Sequence, residues 1–245
     1  MEVPHGFRVH EISVRDQIRF KTVHELANIL CNVKSPLGTV IGSTALSLHA
    51  LGRTRTPADF DMTTQAEMGT ICDRLREAQF IEIEGGFRGI KFHDNIQRGA
   101  EFRVTRRVDG LVQDRVTVQL ARVWQGGDRE VVRSPAREEN LYVEPLSWIV
   151  TNKLHALFKK RNSSLVSSRT RDLFDLALVG MPRLEEMSAL TQHNLGRLAT
   201  EWSFPETPPS EWRGTWAKLG QELSVDLDLD RSWRLTSAYV RRLVF

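Results

Sequence analysis

VIGSTALSLHALGRTRTPADFDMTT, residues 40–64, decides how this chain is read. A short apolar run ends in Gly42-Ser43, a helix-like stretch follows, and the segment closes on Asp59-Phe60-Asp61. The run GTVIG predicts a short buried strand. STALSLHAL predicts a helix that Ser43 would cap, and DFDMT predicts a second strand. On a strand, residues i and i+2 share a face, so Asp59 and Asp61 project side by side. Such a pair either solvates a turn, as aspartate often does, or shares a cation that prefers carboxylate oxygens. Gly42-Ser43 is open in the same way. It is a capped turn, or a strand-to-helix junction whose free N–H groups attract an anion.

Outward from this segment, residues 15–31 carry Ile18, Val23, Leu26, Ile29 and Leu30 at helical spacing. QAEMGTICDRLREAQ predicts another helix. FIEIEGG, RGIKFHD, AEFRVTRRV and DRVTVQLARV read as short strands separated by Gly or Asp turns. Beyond Ser134-Pro135 the pattern turns helical. VEPLSWIVTNKLHALFKKR is amphipathic, TRDLFDLALVGM is apolar nearly all round, residues 183–200 read as one helix, and two more follow the Pro-rich FPETPPS. The fold class expected is α+β: a mixed sheet with flanking helices over residues 1–134, then a helical domain over 135–245.

The chain has 245 residues, enough for one or two domains with a sizeable core. No apolar stretch approaches the roughly 18 residues of a membrane span, and MEVPHGFRVHEISVRD has no secretion-signal core. A cytoplasmic protein without a membrane partner is therefore expected. Cys31 and Cys72 have no metal-site or disulfide spacing, which predicts buried free thiols. A net charge of +3 permits a nucleic-acid partner without requiring one. Its clusters are Arg103 with Arg106 and Arg107, then Lys159, Lys160 and Arg161, then Arg169 and Arg171.

Three further residues lie oddly for packing alone. Lys153 follows Ile149 and Val150 by four and three positions, so it sits on the apolar stripe of its helix, either snorkelling at the edge or meeting a partner. Asp172 and Asp175 share a face of an apolar helix. Asp172 suits a first helical turn, whereas Asp175 is too deep for that. The alternating acids of VDLDLD, by contrast, precede the last predicted helix and read as its cap.

Taken together, IGSTALSLHALGRTRTPADFD (41–61) resembles the glycine-rich segment and D-x-D of the nucleotidyltransferase superfamily. KLHALFKKRNSSLVSSRTRDLFDL (153–176) resembles the lysine and RDLYDL-type signature of its AbiEii/MenT-like toxin branch. The resemblance implies Mg²⁺-dependent use of a nucleoside triphosphate, an antitoxin protein as partner, and RNA, in particular the tRNA 3′ end, as acceptor. It also implies site roles: Gly42 and Ser43 for the triphosphate, Asp59 and Asp61 for metal, Lys153 for phosphate, and Asp172 and Asp175 as helical acids completing the catalytic set. Two departures stand out. Pro57 occupies a position usually Ser or Thr, and Gln119 stands on the strand where many superfamily members carry a third carboxylate, with Glu101 on the neighbouring strand a candidate substitute. Transfer to a small molecule or protein hydroxyl, and a non-catalytic nucleotide- or RNA-binding module, are the competing readings.

Overall fold

A computed structural model describes residues 13–49, 54–92, 97–122, 129–134, 139–160, 169–198 and 201–245. The N-terminal stretch 1–12, Arg161 of the second basic cluster, and Pro135 at the expected domain boundary lie outside them.

The first long helix, α1 (Val14–Cys31), is capped by Ser13, whose hydroxyl accepts from the Asp16 N–H. It buries Val23, Leu26, Ala27 and Leu30 completely. Next come β1 (Gly38–Val40), α2 (Gly42–Leu48), β2 (Asp59–Thr64) and α3 (Met68–Glu77). Three twelve-residue strands follow, β3 (Ile81–Phe92), β4 (Gln97–Val108) and β5 (Leu111–Arg122), then the short β6 (Glu130–Arg133) and β7 (Asn140–Val143). The strands form one mixed sheet in the order β3-β4-β5-β2-β1-β7-β6, with β2 parallel to β5 and β1 parallel to β7. Alternation along β2 puts Phe60 and Met62 into the core with Val116, Val118, Phe102 and Val104, while Asp59 and Asp61 face the other way. α1 and α3 cover that apolar face, and a buried Arg106–Glu25 ion pair joins β4 to α1 at 2.8 Å.

The C-terminal helices are α4 (Leu146–Phe158), α5 (Thr170–Val179), α6 (Met181–Glu186), α7 (Ser188–Gly196), α8 (Trp212–Leu223) and α9 (Leu229–Val244). α4 packs on α2, α5 and α7, while Phe174 on Trp216 and Phe158 on Trp233, with ring centroids 4.9 and 5.0 Å apart, fill the centre of the helical part. Asp228 caps α9 by accepting from the Arg231 N–H, as the VDLDLD reading expects. Cys31 and Cys72 are buried free thiols.

Local geometry departs from the sequence expectation in four places, the first being that Asn140–Val143, expected in the helical part, is a strand paired with β1 and β6. Ser43 is not an N-cap: α2 begins at Gly42, and its cap, Ile41, offers no side-chain hydrogen bond. The runs expected as two strands, FIEIEGG and RGIKFHD, are joined up to Phe92 in β3, because the Gly85-Gly86 pair is absorbed as a bulge between Glu84 and Arg88, with Gly85 at φ +72°; His93 and Asp94 lie outside the described residues. Residues 183–200 do not form one helix. Met187 leaves helical geometry at ψ 3° to bury its side chain, and the Ser188 hydroxyl donates back to the Glu185 carbonyl at 2.5 Å.

Candidate active site

β1 and β7 run parallel with Val40 opposite Val143, so the residues that follow them, Gly42 and Glu144, emerge at the same end of the sheet. β2 runs antiparallel to β1, which brings its first residues to that end as well, and the Ile41 N–H donates to the Asp61 carbonyl at 3.0 Å. Arg19 fixes the start of β2. It donates to both carboxylate oxygens of Asp114 on β5 (2.7 and 2.8 Å) and to the carbonyl of Ala58. The Thr44 hydroxyl then ties α2 to the Asp59 carbonyl at 3.1 Å.

Gly42 has φ +66°, and a Cβ there would stand 2.9 Å from Asp61 Oδ2. Both facts require glycine: the left-handed backbone disfavours a side chain, and the carboxylate already occupies the space. Gly42→Ala is expected to lower stability by about 1–3 kcal/mol, measured by denaturant unfolding, and to displace Asp61.

Asp59 and Asp61 point from the same side of β2. Burial raises the pKa of both carboxyls. For Asp61, the neighbouring Asp59 raises it further, to about 7, against the opposing charges of Lys153 and Arg55. Among the described residues no side chain hydrogen-bonds either carboxylate. Two desolvated carboxylates on one strand face, with no side-chain hydrogen bond among the described residues, fit a divalent cation of the Mg²⁺ type, which takes one or two carboxylates plus phosphate oxygens. No third Asp, Glu, His or Cys joins them in a metal-binding group among the described residues. Gln119 lies directly beside Asp61 in the β2–β5 register and donates to Glu101 at 3.2 Å. Glu101 thus does not replace the third acid. It sits one strand further out, where its charge adds to the upward shift of Asp59.

Lys153 does not snorkel. It is 8% exposed, and its ammonium donates to Asp175 at 2.8 Å and Asp172 at 3.1 Å. Burial opposes its charge, but the two aspartates outweigh that effect and raise its pKa. Asp175 is 0% exposed and also receives a two-pronged contact from Arg55, at 2.9 and 3.1 Å. Asp172 stands in the first turn of α5 and pairs with Arg169 as well. The helical acids are therefore held by cations, and Asp175 in particular is a support for Lys153 and Arg55.

Sequence reasoning missed Glu144 and Arg55. Glu144 accepts from the Gly42 N–H at 3.3 Å and from Asn152 Nδ2 at 2.8 Å, linking the glycine junction to the helix that carries Lys153. Burial pushes its carboxyl up to about 7, and Asp61 adds to the shift. Arg55 lies four residues before Asp59 in a stretch to which the sequence reading gave no role, and a contact 120 residues away in sequence left no local signal.

Raised carboxyl pKa values carry a sign. Asp61 and Glu144 bind protons more tightly folded than unfolded, so the folded state is favoured at low pH and loses stability as pH rises from about 4 to about 7. Metal-free protein is expected to show a falling Tm across that window, and Asp61→Asn to flatten the fall, as read by thermal unfolding in chelator. The basic clusters also resolve. Arg106 and Arg107 are committed to Glu25 and Glu82, and Lys160 pairs with Glu201.

Comparison with known proteins gives a consistent result. The family model described as the nucleotidyl transferase AbiEii toxin of type IV toxin–antitoxin systems matches residues 29–202. Two solved Helicobacter pylori structures share the fold. The protein JHP933 is 15% identical with a TM-score of 0.53 over 95% of this chain and 93% of its own. A second protein, assigned to the nucleotidyltransferases, is 17% identical with a TM-score of 0.52 over 94% and 95%. No curated protein matches the chain.

Proposed function

Since this chain belongs to the AbiEii nucleotidyltransferase toxin family, we propose that it transfers a nucleotide from a nucleoside triphosphate to RNA, with the 3′ end of tRNA as acceptor. The observation that carries the reading is the Asp59–Asp61 pair: two carboxylates on one strand face, unpartnered among the described residues, beside a glycine whose missing Cβ leaves Asp61 its place.

Asp59 and Asp61 would hold Mg²⁺, which when bound supplies positive charge against the triphosphate. Gly42 and Ser43 line the triphosphate side. Lys153 presents a point charge to the phosphates and is aimed by Asp172 and Asp175, which act through it. The acceptor 3′-oxygen attacks the α-phosphorus, the bond to the β-phosphate oxygen breaks, and pyrophosphate leaves with that electron pair. The hydroxyl proton goes to the Asp59 carboxylate oxygen that the cation leaves free. The sheet with its flanking helices and the helices from α4 onward would thus each contribute to one site. As a toxin the chain would be held in check by an antitoxin protein, and among its described residues no helix is long and apolar enough to cross a membrane.

The test is incubation with tRNA, Mg²⁺ and each radiolabelled nucleoside triphosphate in turn. Label on RNA from at least one of them is expected. Label on a protein or small molecule instead would move the acceptor, and no transfer together with no growth arrest on expression would remove the function.

A further inference from the structure

On the face of the sheet that carries Asp59 and Asp61, β5, β4 and β3 continue outward as an open surface. Pairing sets the rows: Asp59 faces Thr117, which faces Arg103, and Asp61 faces Gln119, then Glu101, then Arg88. Between these rows and the β3 bulge lies a shallow groove of about 400 Å³, bordered by Glu84, Arg88, Glu101, Arg103 and Thr117, with the bare backbone of Gly85-Gly86 on its outer bank. Nothing stands within 4 Å of where a Cβ on either glycine would lie, so a ligand can approach the chain closely there.

The charges in the groove are unequally committed. Glu84 accepts from the Thr105 hydroxyl and from Arg115 at 3.3 Å, and Glu101 accepts from Gln119. Arg88 and Arg103, by contrast, make no hydrogen bond or salt bridge among the described residues, although Arg103 lies opposite Glu84 and its charge lowers the pKa of that carboxyl. Two guanidinium groups whose N–H donors are not taken up by described protein groups suit phosphodiester oxygens in a concave strip, which they can bind by paired N–H donors. The strip starts beside Asp59 and runs across the strands, with Arg103 about 10 Å out, two strand spacings of ~4.8 Å.

We propose that this groove binds the acceptor strand, with Arg88 and Arg103 each holding a backbone phosphate of the single-stranded segment that leads to the reacting 3′ end. The proposal rests on the reading of the chain as an RNA-directed nucleotidyltransferase and names a binding surface for that acceptor. Because the contacts are to phosphate, they orient the strand without selecting its sequence.

The experiment uses the full chain, its Arg88→Ala/Arg103→Ala variant, and fluorescence anisotropy with a 5′-labelled single-stranded RNA across a salt series. Both side chains are exposed, so the fold should survive, which circular dichroism checks. The variant is expected to bind at least about tenfold more weakly at low salt, and its log–log salt dependence to flatten by about 1.4, from roughly 0.7 per lost phosphate contact. Mg²⁺–nucleoside triphosphate binding by calorimetry should stay at the parent value. If the parent transfers label to RNA while the variant keeps the parent's affinity and salt slope, the groove assignment is overturned and the function stands. A parent that binds no RNA overturns both.

Discussion

Asp59→Asn and Asp61→Asn are each expected to lower nucleotide transfer by about a thousandfold or more, while the metal-free protein becomes as stable as the parent or more stable. The loss follows from removing one of two charged donors for the cation, a contribution of about 4 kcal/mol at 1.4 kcal/mol per factor of ten. The stability result follows from the pair's own electrostatics. Above pH 7 the parent must keep both carboxylates ionised, although burial raises both pKa values and the Asp59 charge raises that of Asp61 further. Asparagine fills the same volume and carries no charge, so it relieves that repulsion. Thermal unfolding at pH 8 in chelator checks this. A Tm several degrees below the parent would mean the pair is structural.

Lys153→Met carries the second large effect, and here structure changes the expectation that the apolar stripe suggests. Methionine suits an apolar stripe, so packing alone predicts a well-folded variant. But Asp175 is fully buried and shares its charge between Lys153 and Arg55, so losing one partner leaves it under-compensated. Breaking a buried network in this way costs about 3 kcal/mol, or about 6–12 °C in Tm for a chain of this size. Transfer should fall about a hundredfold beyond what any loss of folded protein explains. Lys153→Arg separates the two effects: its charge keeps the aspartates paired and most of the stability, while its broad planar head restores little of the rate. Equal recovery of rate and stability would leave Lys153 a purely structural cation.

What could be read from the chain followed local rules. The helices showed in their apolar spacing, β2 in the D-F-D-M alternation, and the α9 cap in Asp228. Local rules also explain the errors, since a glycine pair looks the same in a turn and in a bulge, and Met187 gives no sign that it will break a helix. The candidate site was legible where its residues lie on one strand or one helix, as with Asp59, Asp61, Asp172 and Asp175. Glu144 was not, because it meets Gly42 only through the parallel pairing of strands about a hundred residues apart. Arg55 and the Arg106–Glu25 pair share that cause: each contact is set by tertiary register, and neither partner's neighbours in sequence announce it.

Displacement at the α-phosphorus is decided by the position of the label. Parallel reactions with RNA and Mg²⁺ would use a nucleoside triphosphate labelled on either the α- or the γ-phosphate, with products separated by size. The expected result is α-label on RNA, γ-label in pyrophosphate in equal amount, and neither with Asp61→Asn. Label from the γ-phosphate on RNA, or none from the α-phosphate on RNA at any nucleotide, would contradict it.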